Sequence, residues 1–381
     1  MEKIKNYFGA LKREFLEYSF EEKLLFLNSI SIFLPFFLSA VPLLITVIIS
    51  LVRKDTRNRV FAVSNWKAFM LFGIIAFISP ILNGNLIGIG GGLFILVLIV
   101  FSFLARAFMN EKLWERITEN ICLLSVLSFV IGLIDYIVRY TPDSEHRTAS
   151  TFFNANYYAF IVEIIVVLCV YKITKNPDRW YKYLAIALIN CSAILICKTR
   201  TALVAIFIGV IAYFFFSKKW KIVGAVSAFI LVLAAATIIA PEVFLPRYET
   251  FFWSLNDRFE IWKTAVNGLG YRPLFGQGLW AYWRLYDMFG GRFAVNAHCI
   301  WLDTFLSVGI VGTVFVFYYF IRATVSGVKK LNNPEKAVLL ALILTVLAHC
   351  TIDLAITGVE TSIMAMLIYS IVGNGNKKCG A

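Results

Sequence analysis

Between Pro241 and His298 the chain carries Arg247, Asp257, Arg258, Glu260, Lys263, Arg272, Arg284 and Arg292, interleaved with Tyr248, Phe251, Phe252, Trp253, Trp262, Tyr271, Trp280, Tyr282, Trp283 and Tyr286. Guanidinium groups present planar forks of donors to anionic oxygens, and aromatic rings add flat apolar faces. A stretch so rich in both reads as a site for a large ligand that is anionic and partly sugar-like. Its last residues, Asn296-Ala297-His298, run into the apolar segment Cys299 to Ile321, so His298 stands where a long polar loop meets a hydrophobic segment. Two further polar groups interrupt apolar surroundings: Lys198-Thr199-Arg200 lies between two greasy runs, and Asn154-Ala155-Asn156 lies just before another.

Metal and redox chemistry are poorly supplied. The three histidines (146, 298, 349) are dispersed, and the seven cysteines are scattered with no CxxC pair, so neither a metal centre nor a disulfide framework is expected. The cysteines read as small apolar fillers. No cofactor is implied: Gly276-x-Gly278 lacks the strand and third glycine of a dinucleotide loop and reads as a turn.

These residues must be positioned by membrane elements. In 381 residues, 60% are hydrophobic and 15% charged, with a mean hydropathy of +0.78, a composition for a bilayer rather than a water-solvated surface. A spanning helix needs about 20 mostly apolar residues. That rule gives twelve segments: two short helices in residues 24–52 with a hairpin near 38–42, then 67–82, 86–104, 117–140, 157–174, 180–198, 201–217, 221–240, 299–321, 336–355 and 359–374. The expected fold is an all-α polytopic bundle of about 12 transmembrane helices. It forms one membrane domain, 1–381, with residues 241–298 as a long extracytoplasmic loop. No cleavable signal peptide is read in the charged first 23 residues.

The net charge of +13 does not imply nucleic acid, because the basic residues fall mostly in short connections. With both termini cytoplasmic, 26 of the 36 Lys and Arg residues lie on the inner side, as the positive-inside rule requires. The ten exceptions are Arg139, Arg147, Lys198, Arg200, Arg247, Arg258, Lys263, Arg272, Arg284 and Arg292. Nine of them lie in three outer segments, 141–156, 198–200 and 241–298, and Arg139 lies two residues before the first. Charges kept against the topological bias are the better functional candidates. No repeat supports a solenoid or an inverted-repeat transporter.

Four elements in this order resemble the O-antigen ligase and polymerase superfamily: Asn154-Ala155-Asn156-Tyr157-Tyr158; Lys198-Thr199-Arg200-Thr201; Arg258 to Trp262 leading to Pro273-Leu274-Phe275-Gly276-Gln277-Gly278; and His298 with Gly309 and Gly312. Cys299 replaces the Asn that usually follows the histidine, and Ser307 the Glu before the first tail glycine. The resemblance covers residues 150–312. It implies a metal-independent glycosyltransferase of the cytoplasmic (inner) membrane, with its active site on the extracytoplasmic face. Such an enzyme moves a glycan from an undecaprenyl-pyrophosphate carrier to an acceptor hydroxyl in cell-surface polysaccharide biosynthesis.

A lipid pyrophosphate leaving group needs cationic stabilisation rather than a proton, and the acceptor hydroxyl needs a base titrating near neutrality. On that footing Arg200 and Arg258 are expected to grip the pyrophosphate and His298 to act as base. Asn154, Asn156, Lys198, Trp262 and Arg272 are expected to bind substrate. Plainer readings stand beside these: Arg200 as a snorkelling interface residue, Arg258 paired with Asp257 or Glu260, Lys198 as a helix anchor, Asn154 and Asn156 as caps, and the aromatics as an interfacial belt. His146 reads as a surface residue, and His349 and Asp353, four apart, as a possible pair. A transporter or flippase of lipid-linked glycans is the competing class, and polymerase and ligase differ only in acceptor, which the sequence does not decide.

Overall fold

The computed structural model describes residues 2–141, 146–245 and 247–373, and among them every regular element is helical. Residues 142–145 of the outer loop, together with Lys377, Lys378 and Cys379, lie outside the described residues. The chain runs through α1 (Glu2–Glu17), α2 (Phe20–Ser31), α3 (Phe36–Val52), α4 (Lys54–Val60), α5 (Trp66–Leu82), α6 (Leu86–Phe108) and α7 (Glu111–Arg139). It continues with α8 (Ala155–Lys175), α9 (Trp180–Cys197), α10 (Arg200–Phe216) and α11 (Trp220–Ile239). The polar stretch holds the short α12 (Pro241–Phe244), α13 (Phe251–Leu269) and the short α14 (Ala281–Leu285); α15 (Ile300–Val328), α16 (Asn333–Ile352) and α17 (Val359–Tyr369) follow.

Each of the twelve expected apolar segments falls on a helix, but among the described residues seven helices are long and apolar enough to cross a bilayer: α6, α7, α8, α9 with its leading turn, α11, α15 and α16. An eighth is reached if α3 and α4, bent by 99°, form one broken span, while α5, α10 and α17 are shorter apolar helices. Hydropathy finds apolar runs, whereas caps and prolines set where a helix stops. The hairpin expected at 38–42 shows this. Its turn lies at residues 32–35, with Pro35 as the N-cap of α3 and Pro42 inside that helix. Ser39 closes the turn by donating its hydroxyl to the Ser31 and Leu34 carbonyls at 2.6 and 2.9 Å.

Apolar packing centres on α8, whose residues from Tyr158 to Cys169 are buried, flanked by α9, α10 and α16. A second, smaller core joins Ile261 and Ala265 of α13, Ala281 and Leu285 of α14, Ala297, and Leu306 of α15. It ties the polar stretch to the bundle.

Polar connections sort to two ends. At one end the buried Arg106 guanidinium donates to Tyr319 Oη (2.9 Å), Ser64 Oγ (3.1 Å) and the Gly373 carbonyl (3.1 Å). There Lys175 and Lys182 also pair with Glu115 and Glu119 at 2.9 and 2.8 Å. The three arginine-bearing segments meet at the opposite end.

Helix α15 is broken at Gly309, where φ is 62° and ψ −170°, a conformation essentially restricted to glycine. The break leaves main-chain groups that the helix cannot satisfy. The strip Pro273-Leu274-Phe275-Gly276-Gln277-Gly278 satisfies them: Gln277 and Gly278 amides donate to the Leu306 and Ser307 carbonyls (2.9 and 2.8 Å), and Ile310 and Val311 amides to the Pro273 and Leu274 carbonyls (2.8 and 3.1 Å). A Cβ on Gly276 would sit 2.4 Å from the Ser307 carbonyl carbon, so two main chains touch directly. The strip expected to be a simple turn is thus the partner of a helix break.

Candidate functional site

Each part of the site follows from a local rule. Asn154 caps α8, its side-chain oxygen accepting the Asn156 and Tyr157 amides at 2.9 Å each. With the helix start fixed there, Asn156 sits in its first turn, facing the end of α16. Helix α9 ends on Lys198, held at φ 50° as a left-handed C-cap, and α10 starts at Arg200. Arg258 lies in the second turn of α13. Before α15, the Ala297 amide donates to Asp303 Oδ1 (3.0 Å) and the His298 amide to Asn296 Oδ1 (2.9 Å). These bonds hold His298 at φ 50°, a left-handed conformation that costs a non-glycine residue about 1–2 kcal/mol.

Asp353, one residue past α16, joins the pieces. Its Oδ1 meets His298 Nδ1 at 3.0 Å, and its Oδ2 accepts from Arg258 Nη2 at 3.1 Å and from the Asn156 amide group. The Asp353 side chain is 9% exposed, Arg258 18% and His298 29%, so the carboxylate is sequestered while the imidazole keeps an open edge. Burial by itself raises the Asp353 carboxyl, but the His298 hydrogen bond and the Arg258 charge outweigh it and hold the group well below the usual carboxylate range. An ionised Asp353 accepts only. It therefore fixes the proton on His298 Nδ1 and leaves Nε2 as the nitrogen able to take one.

Beside this cluster lies a cavity of about 220 Å³, lined by Arg147, Lys198, Arg200, Arg247 and Arg258 together with Asn156 and Asp353. Arg147 donates Nε to the Cys197 carbonyl (3.0 Å) and Nη2 to Thr199 Oγ1 (2.8 Å) and to Asn156 Oδ1. Burial and then the neighbouring Arg247 charge push its guanidinium down from its ordinary value. Arg200 donates to the Arg247 carbonyl at 3.5 Å and lies 5.2 Å from the centre of the Phe251 ring. Several cations gathered around one small space suit a compact polyanion such as a pyrophosphate. Among the described residues no group of three His, Cys, Asp or Glu side chains converges to hold a metal ion.

The structure brings together His298, Arg200, Arg258, Asn156 and Lys198. It places Asn154 at the helix cap. Trp262 is half-buried against Phe259, at 5.8 Å, in the smaller core, and Arg272 lies over Tyr271 at 5.4 Å; neither lines the cavity. Arg258 pairs with Asp353 rather than with Asp257 or Glu260, and Asp257 instead pairs with Arg292. Of the readings open for His349, pairing with Asp353 gives way to a hydrogen bond inside the bundle, His349 Nδ1 lying 2.7 Å from Glu163 Oε2. In the sequence Asp353 reads only as a possible partner of His349, because the apolar run continues past it to residue 355 and conceals the helix end at Ile352 that turns it toward His298 and Arg258. Arg147 was visible only as one of ten charges on the unexpected side.

Residues 184–317, from within α9 to within α15, match a family model described as O-Antigen ligase. The match contains Arg200, Arg258 and His298, and leaves Arg147, Asn156 and Asp353 outside. No curated protein matches the chain significantly.

Proposed function

Because residues 184–317 belong to the O-antigen ligase and polymerase superfamily, we propose that this membrane glycan ligase or polymerase takes its glycan from an undecaprenyl-pyrophosphate carrier and passes it to an acceptor hydroxyl without a metal ion. The observation that carries this reading is the Asp353 carboxylate shared by His298 and Arg258 at the mouth of a cation-lined cavity. His298 Nε2 takes the acceptor proton as the acceptor oxygen attacks the anomeric carbon. The bond from that carbon to the pyrophosphate oxygen breaks, and the leaving pyrophosphate keeps the electron pair. Arg200 and Arg258 stabilise the charge developing on it, with Lys198 and Arg147 behind them. Asn156 holds Asp353 on one side and Arg147 on the other, which spaces the base from the anion clamp.

Sidedness completes the proposal. The basic connections collect at the end away from the cavity, so that end faces the cytoplasm and the cavity opens on the extracytoplasmic side of the cytoplasmic membrane.

The test is glycan transfer by purified protein in lipid vesicles. His298→Ala should lower the rate about 10²- to 10⁴-fold while retention of the lipid-linked donor largely survives, and excess EDTA should leave the wild-type rate unchanged. A near-normal His298→Ala rate, or activity lost to EDTA and restored by Mg²⁺ or Mn²⁺, would overturn the assignment.

A further inference from the structure

Next to the cavity, α13 presents a second face. Ser254 and Arg258 line the cavity, while their neighbours Trp253 and Asp257, four residues apart and so one above the other, point to another partner. That partner is Arg292, which pairs with Asp257 and stacks 4.6 Å from the centre of the Trp253 ring. The next residue, Phe293, meets Tyr286 edge-on at 5.5 Å and Trp283 at 6.4 Å. Trp253 and Phe293 are each 58% exposed. The result is an aromatic shelf carrying an ion pair, and the chain runs from Arg292 to His298 in six residues.

We propose that this shelf, Trp253 and Phe293 with Arg292 and Asp257 between them, is the acceptor subsite and that it binds a saccharide. This rests on the transferase reading of the neighbouring site. Saccharides combine apolar C–H faces with a rim of hydroxyls. The open rings suit the faces, and the Arg292–Asp257 pair offers donors and acceptors together for the hydroxyls. Position decides between acceptor and donor: the cations that suit the donor's pyrophosphate line the cavity on the Arg258 side of α13, whereas the shelf lies on the Asp257 side. A saccharide held there lies on a different face of α13 from the pyrophosphate clamp, with Phe293 five residues before His298 in the chain.

The experiment measures transfer in vesicles as a function of acceptor concentration, using as probe the oligosaccharide released by mild acid from the host cell's own carrier lipid. Trp253→Ala and Phe293→Ala should each raise the KM for this probe about tenfold with kcat and retention of the radiolabelled lipid-linked donor within twofold. Trp253→Phe should restore most of the loss, which separates lost stacking from misfolding. Saturation-transfer NMR of the same probe on full-length His298→Ala protein should show contact that Trp253→Ala removes. An unchanged KM in both alanine variants, or a loss confined to donor retention, would overturn the acceptor subsite while leaving the transferase reading intact. Probe contact on the His298→Ala protein alongside undiminished His298→Ala transfer would instead sink the transferase mechanism and leave the shelf as a saccharide site.

Discussion

Asp353 answers to two partners of opposite purpose, a base and an anion clamp, and its protonation state governs both. Its folded-state pKa lies below the unfolded carboxylate value of about 3.9. The stability it contributes is therefore fully present above that value and is lost as pH falls through the lower folded-state value. Between pH 5 and 8 the carboxylate stays ionised. Asp353→Asn should accordingly lower the melting temperature at pH 8, and the wild-type advantage should shrink as the pH is taken below about 4. Its effect on rate differs in kind. Without the carboxylate, nothing fixes the proton on His298 Nδ1, so kcat should drop about 10²-fold or more. A kcat within twofold of wild type would reduce Asp353 to a structural tie. The sequence exposed the arginines because charges on the unexpected side of a membrane stand out, and His298 because it stands where a polar loop meets an apolar segment, whereas Asp353 at the end of a greasy run reads only as a match for His349.

Helix starts and stops were the less legible part of the chain. The apolar segments are where hydropathy places them, but the hairpin turn moved to residues 32–35 and α16 ended three residues early. Breaks set by long-range partners were invisible. The strip 273–278 and Gly309 are separated by some thirty residues, and nothing local announces that four main-chain hydrogen bonds join them. Gly309→Ala should therefore be costly: the backbone conformation alone is worth about 1–3 kcal/mol, and the new Cβ would fall 2.4 Å from the Leu274 carbonyl carbon. Gly90, on α6 with nothing within 4 Å of its built Cβ, is the control. A clear fall in melting temperature for Gly309→Ala beside an unchanged Gly90→Ala is the expected pattern. Equal melting for both would mean that the strip contributes little to holding the site.

At the scale of the whole molecule, the two polar ends make a topological statement that labelling can read. In a cysteine-free background, Phe252→Cys beside the cavity should react with an impermeant maleimide on intact cells, and Asp55→Cys in α4 only after permeabilisation. The reverse pattern would turn the protein over in the membrane and remove the extracytoplasmic site. The proposed orientation rests on the segregation of arginine-bearing from lysine-rich connections, already readable in the chain, and not on the family match.

Helix α11 has no buried residue and touches the bundle mainly through α10. Twenty residues at 1.5 Å each give about 30 Å, the thickness of a hydrocarbon core. Its information content is thus a length and not a shape: it returns the chain to the side on which Arg200 began, so that Arg258 can join it. A span that conveys only distance is exchangeable. Replacing residues 222–238 by an alternating leucine–alanine run of equal length should keep transfer within about twofold, because lipid-facing positions demand apolarity rather than complementarity. Deleting four residues from the same helix should not be tolerated, since about 6 Å of reach would be lost. Sequence drift should accordingly be freest in one of the most hydrophobic helices of the chain.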